Sequence, residues 1–181
     1  MSTNKIVAIA VLAVLAFWVL GAHNRLVRLR QAIAAAFAQV DVQLRRRHDL
    51  LAELIEAATA GLADTPQATS SLDAARLQAR IAADRVAQRP LSAGRLASLA
   101  LAEQVLGTAL SRLVTLLKAH PALRVDPGLR EALKNLSATQ HRLSAANDTF
   151  NATVRDYNRS VRQFPTRLVA GVFGFHIAGE L

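Results

Sequence analysis

Hydrophobic positions fall into one unbroken block followed by four stripes at helical spacing. The block, Ile6–Ala22, is 17 residues without a charge. As a helix it spans roughly 25 Å, a little less than the roughly 30 Å hydrocarbon core of a bilayer. Lys5 and Arg25 can snorkel at its two ends, and Trp18 suits an interfacial position. A cleaved signal peptide is the competing reading, with Met1–Lys5 as its basic region and a cut after Ala22. Leu20 is a poor third-from-last residue for such a cut, and the helical pattern runs on without a spacer, so an uncleaved anchor is expected. Arg25, Arg28 and Arg30 follow the block, whereas only Lys5 precedes it. The positive-inside rule then places the N-terminus outside and the body in the cytoplasm. No pair of small residues four apart lies within Ile6–Gly21, so the span has no seam for a packed transmembrane dimer.

The first stripe is Leu26, Leu29, Ile33, Phe37, Val40, Leu44, Leu51, Leu54, Ala58 and Leu62. Its steps are 3 or 4, with one skip of 7 across Arg47. It predicts a long amphipathic helix continuous with the anchor. Asp41 with Arg45, and Arg45 with Asp49, are exposed pairs four apart. Gly61–Thr69, with Asp64-Thr65-Pro66, reads as a turn. A second helix is expected over Ser70–Gln88, on Leu72, Ala75, Ala79, Ala82/Ala83 and Val86. Pro90 breaks it, and Ser92 is a candidate N-cap for a third helix over Ala93–Ala119. Leu96, Leu99, Leu106, Leu110, Leu113 and Leu117 form that helix's stripe. Pro121 and Asp126-Pro127-Gly128 mark a loop. The last stripe alternates steps of 4 and 3 from Leu129 through Gln140, Asn147, Phe150 and Tyr157 to Phe164, before Pro165 stops it.

The expected fold is therefore all-α: an N-terminal transmembrane helix running into an antiparallel up-down four-helix bundle of coiled-coil character. Residues 1–23 are the anchor, 24–165 the bundle and 166–181 an apolar tail. With four helices the tail returns towards the bilayer, where it either lies in the interface or docks on a membrane partner. The alternative is that it folds back on the bundle as a flap over the core.

Composition narrows the chemistry. Of 181 residues 36 are alanine, Gly and Pro together are 13, and aromatics are 4%. That favours helix and argues against a sheet enzyme. With no cysteine there are no disulfides, thiolate metal sites, Fe–S clusters or Cys nucleophile. Five histidines form no HExxH motif, and the eight glycines form no phosphate loop. Asp49, Glu53 and Glu56 share a helical face that could offer carboxylates to a metal, but a solvated charged stripe is the plainer reading. No cofactor, metal or catalytic residue is expected.

The net charge of +9 comes from 19 Arg and 3 Lys against 13 acids. It suggests acidic partners. The basic residues are nevertheless spread over every helix, with no stacking surface, so nucleic acid is not favoured. Arg45-Arg46-Arg47 cannot form one patch, because successive helical residues point about 100° apart. Arg47 falls on the apolar rhythm and would need an acidic partner inside the bundle. Gln140 and Asn147 sit on the last seam, where polar residues fix register or form a recognition point in a groove. Phe150-Asn151 and Tyr157-Asn158, seven residues apart, make either a hydrogen-bonded core or a site.

These residues carry a resemblance. Leu44-Arg45-Arg46-Arg47-His48-Asp49-Leu50-Leu51, Ala75-Arg76, His120-Pro121-Ala122-Leu123, Tyr157-Asn158 and Phe164-Pro165 resemble the motifs of the LemA family of bacterial membrane proteins. The motif positions are Leu44, Arg46, Arg47, Asp49, Leu50, Arg76, Pro121, Tyr157, Asn158, Phe164 and Pro165. The sequence departs from the family pattern at several places. Ala52-Glu53 replace its Pro-Asn, Gln140 and Asn147 replace a Glu and an Arg, and Phe150 replaces the first Tyr. The resemblance implies a helical bundle on an N-terminal helix of the cytoplasmic (inner) membrane, without enzymatic activity. It also implies adaptor or scaffold work for other envelope proteins such as membrane proteases. The alternatives are a structural protein contacting anionic membrane lipid and, third, a nucleic-acid-binding protein. The pattern names no partner and no oligomeric state.

Overall fold

The uncharged block and the first stripe form one helix, α1, Thr3–Gly61, in a computed structural model that describes residues 3–62 and 65–181. At 1.5 Å per residue α1 is roughly 88 Å long. Its first part, exposed throughout Ile6–Phe17, is compatible with a membrane anchor. Next come α2 (Pro66–Gln88), α3 (Ala93–Ala119), α4 (Pro121–Val125), α5 (Pro127–Arg162) and α6 (Thr166–Val172). No strand forms among the described residues. α3 is also long and apolar enough to cross a membrane, but it packs on α2 through Leu96, Leu99, Leu106, Leu113 and Leu117.

Four element boundaries differ from those read in the sequence. The turn expected to reach Thr69 ends earlier, because Pro66 starts α2: proline lacks the N–H that a first helical turn leaves free. The Ala63-Asp64 part of that turn lies outside the described residues. The loop expected at Pro121–Gly128 contains α4, and α5 starts at Pro127 because Asp126 caps it, accepting the Leu129 N–H at 2.8 Å. Ser92 takes the N-cap position of α3 in extended conformation, yet its side chain makes no cap bond. α5 ends at Arg162, two residues before Phe164.

The stripes meet in two core clusters. In one, Leu26, Ile33, Phe37, Val40 and Leu44 of α1 pack with Leu143, Phe150, Val154, Tyr157 and Val161 of α5. The rings of Phe37 and Phe150 meet edge to face, with centroids 5.7 Å apart. In the other, Leu51, Leu54 and Ala58 pack with Leu72, Ala75 and Ala79 of α2, Leu106 and Leu113 of α3, and Leu129 and Leu136 of α5. Thus α5 runs back along α1. α2 joins α1 to α3, whereas α3 scarcely approaches α5.

Within the tail 166–181, residues 173–181 fold back along α5. They form the flap that was the alternative expectation. Gly174, φ +68°, ends α6, with the Phe175 N–H returning to the Ala170 carbonyl at 2.9 Å. Extended chain then runs along α5. Asn158 accepts the Ala178 N–H at 2.8 Å and donates to its carbonyl at 2.9 Å. Asn151 does the same with Leu181, both at 2.8 Å, and Tyr157 Oη donates to the His176 carbonyl at 2.8 Å. Two helical turns rise about 10.5 Å, and three extended residues span about 10 Å, so a heptad of α5 matches the step from Ala178 to Leu181. The two aromatic-Asn pairs therefore divide their work. Phe150 and Tyr157 fill the core, while Asn151 and Asn158 clamp the flap. Phe175 and Ala178 are buried as a result, and they share a cluster with Leu26.

Candidate functional site: a cleft between α3 and α5

Because α3 and α5 stand apart, a cleft of about 580 Å³ opens between them. Its floor is Val40, Leu44 and Arg47 of α1, and one wall is Leu99, Glu103, Gly107 and Leu110 of α3. Gln140, Leu143 and Asn147 of α5, with Leu181, complete it.

Arg47 lies inside, only 6% exposed, and its guanidinium donates to the Glu103 carboxylate. This is the acidic partner that its place on the apolar rhythm requires. His48, 2% exposed, brings Nε2 to 3.7 Å from the other carboxylate oxygen. Sequence reasoning missed Glu103 and His48, although a signal for Glu103 was present. It fills the vacant beat between Leu99 and Leu106 just as Arg47 fills the one between Leu44 and Leu51. Two stripes, each broken once by a charge of opposite sign, already pointed to a pair. Polar capacity is left over at the cleft: Arg47 Nε, His48 Nε2, Glu103 Oε1 and Asn147 Oδ1 are buried without a hydrogen-bond partner.

Burial alone pushes the Glu103 carboxyl up, but the His48 imidazole and the Arg47 guanidinium outweigh it and hold the carboxyl below its ordinary 4.5. Since the folded value lies below the unfolded one, the carboxylate's contribution to stability is complete above the unfolded value. It is lost as pH falls through the folded value. The melting temperature should therefore drop as pH falls below the ordinary 4.5, and Glu103→Gln should flatten that limb of the profile. An identical acid limb in wild type and variant would show that Glu103 does not carry it.

The other residues singled out in the sequence scatter. Leu44 and Leu50 are core, while Arg46 and Asp49 are exposed. Arg45 pairs with Asp41 at 2.8 Å as expected, but its second partner is Asp84 of α2 at 3.0 Å, not Asp49. Arg76 holds Asp73 at 2.6 Å, and Pro121 starts α4. Pro165 precedes α6 through a cis bond to the exposed Phe164. Gln140 does not sit in the seam. It is exposed on the cleft rim, its neighbour Thr139 is buried instead, and Asn147 is half-buried. The helix turns the amide outward where the missing α3–α5 contact gives it water. Lys5, Trp18, Arg25 and Arg28 lie along the membrane-compatible end of α1, and Arg30 covers the Phe175 ring at 5.1 Å. Asp49, Glu53 and Glu56 are all exposed, and among the described residues no three His, Asp or Glu side chains are grouped to hold a metal.

No curated protein matches the chain. The sequence model of the LemA family matches residues 36–180, which include the Arg47 and Glu103 cleft and the clamped flap. With that match covering most of its length, the chain belongs to the LemA family.

Proposed function

We propose that this protein is a membrane-anchored, non-enzymatic adaptor whose α3–α5 cleft receives a helix from another membrane or envelope protein. In this reading Ile6–Ala22 spans the cytoplasmic membrane with the N-terminus outside, following the Arg25, Arg28 and Arg30 bias. The four long helices act as an antiparallel bundle left open along one seam. The observation that carries the proposal is that open seam: Val40, Leu44, Leu99 and Leu143, with the unpartnered Asn147 amide oxygen, are groups that a partner's helix would cover and satisfy. Small residues at Ala100, Gly107 and Ser111 on the α3 wall allow a close backbone approach.

The test is photo-crosslinking in intact membranes from the full chain. A photoreactive residue at Gln104, on the cleft rim, should yield a discrete protein adduct, and one at Arg80, exposed on α2, should not. Gly107→Trp should abolish the adduct. A Cβ there meets no atom within 4 Å, so the added side chain starts from open space in the cleft. Equal adducts from both positions, or an adduct indifferent to Gly107→Trp, would reject the cleft as the docking site.

A further inference from the structure

The end of the molecule beside the anchor carries a second apolar surface. Phe164, Leu168, Val172, Phe173 and Ile177 are 69, 57, 81, 48 and 55% exposed. Leu168 and Val172 are four apart on α6, while Val169 and Ala170 face the core. Their place relative to α1 is fixed by a stack of rings. His23 lies 4.7 Å from Phe173 and 5.5 Å from Phe175, between centroids. His23 is the residue directly after the uncharged block.

That block is about 5 Å shorter than a hydrocarbon core, so a bilayer must thin around it or draw His23 and Asn24 inward. Where the bilayer thins, lipid headgroups stand level with His23, and hence with Phe173; where His23 is drawn inward, Phe173 follows it to the boundary of the hydrocarbon. Charge agrees with this placement. Met1–Val40 and Tyr157–Gly179 contain no acidic residue, whereas Arg25, Arg28, Arg162 and Arg167 are exposed there. At the edge of this region Glu180 shares a pocket with Arg155, Arg159 and Arg162, and at the other end of α5 the surface mixes both signs, as in the Lys134–Glu131 pair. An apolar face with exposed arginines beside it, and Glu180 only at its edge, matches the headgroup layer of an anionic bilayer.

We infer that α6 and the turn after it form a foot that rests in the headgroup region of an anionic bilayer, beside the point where α1 enters it. The inference rests on the anchored reading of α1. The foot gives the body a second point of membrane contact, which fixes its tilt and the direction in which the cleft opens.

The cysteine-free chain permits a direct test. The full-length protein is reconstituted in vesicles of equal parts phosphatidylcholine and phosphatidylglycerol, with one spin label at Val172→Cys, Val125→Cys or Val11→Cys. Val125 lies in α4, at the far end, where Leu123 packs over Gly61. The Val172 label should collide severalfold more with oxygen, relative to a water-soluble nickel chelate, than the Val125 label does. Its depth should decrease in pure phosphatidylcholine. A Val172 label as aqueous as the Val125 label, with the Val11 label in hydrocarbon, would overturn the foot and leave the anchor intact. Equal depth in both lipids would overturn its anionic preference. An aqueous Val11 label would overturn the anchor and the foot together. Leu168→Cys, on the same face, guards against a disturbance local to Val172.

Discussion

Replacing Glu103 by leucine is expected to destabilise the protein by about 3–5 kcal/mol. The change leaves the Arg47 guanidinium in place, 6% exposed, with its ion-pair partner removed. A buried cation without a counter-ion keeps its full desolvation cost and loses the attraction that offset it. The double variant Arg47→Met, Glu103→Leu should lie within about 1–2 kcal/mol of the parent, because no uncompensated charge remains in the cleft floor. Urea unfolding of the full chain in detergent, followed by far-ultraviolet circular dichroism, gives both values. If the double variant is as unstable as the single one, Arg47 and Glu103 are not an energetic unit. A partner that fills the cleft would add to the contrast, since it would also bury the unpartnered Asn147 amide oxygen.

Asn158→Ala should release the flap and cost about 2–3 kcal/mol. One side chain supplies both an acceptor and a donor to Ala178, so its loss leaves two part-buried backbone groups unpaired. Gly179→Ala should do the same by a different route. A Cβ there would come within 2.7 Å of the Ala93 Cα, a backbone atom that cannot swing away. Overpacking of this kind costs about 1–3 kcal/mol. Both variants should expose the chain after Gly174 to limited proteolysis while α1 to α5 stay resistant. A flap that remains protected in either variant would place the holding force elsewhere, in Phe175 and the rings around it.

The helices were legible because each rests on a local signal. Stripes such as Ile33, Phe37, Val40 and Leu44 need only the helical period, and the residues of that stripe are buried. Proline positions were read with one error of sense. Pro66 and Pro127 read as turn residues in the sequence, yet each starts a helix. The flap was legible only as one of two alternatives for the tail. Its hold on α5 depends on Asn151 and Asn158 meeting chain 30 and 20 residues away, and polar-to-backbone bonds leave no periodic trace. Gln140 shows the converse. A perfect rhythm placed it in the core, but whether a seam is closed depends on how far α3 stands from α5, and no stripe encodes that distance.

The two core clusters differ in when they can be completed. The one holding Leu51, Leu72 and Leu113 draws chiefly on consecutive helices and can form while the chain is still being made. The one holding Leu26, Phe37 and Leu44 needs Leu143 to Val161 and then the flap. At a synthesis rate of about 5–20 residues per second, the part of the Leu26–Leu44 face that α5 covers waits on the order of 5–20 s, with only Ala83, Val86, Leu96 and Leu99 of its cluster made in the meantime. During that interval the newly made α1 presents a long apolar stripe to whatever is near it. The protein is therefore most open to capture by chaperones, or to mispairing with another nascent copy, before its last helix exists.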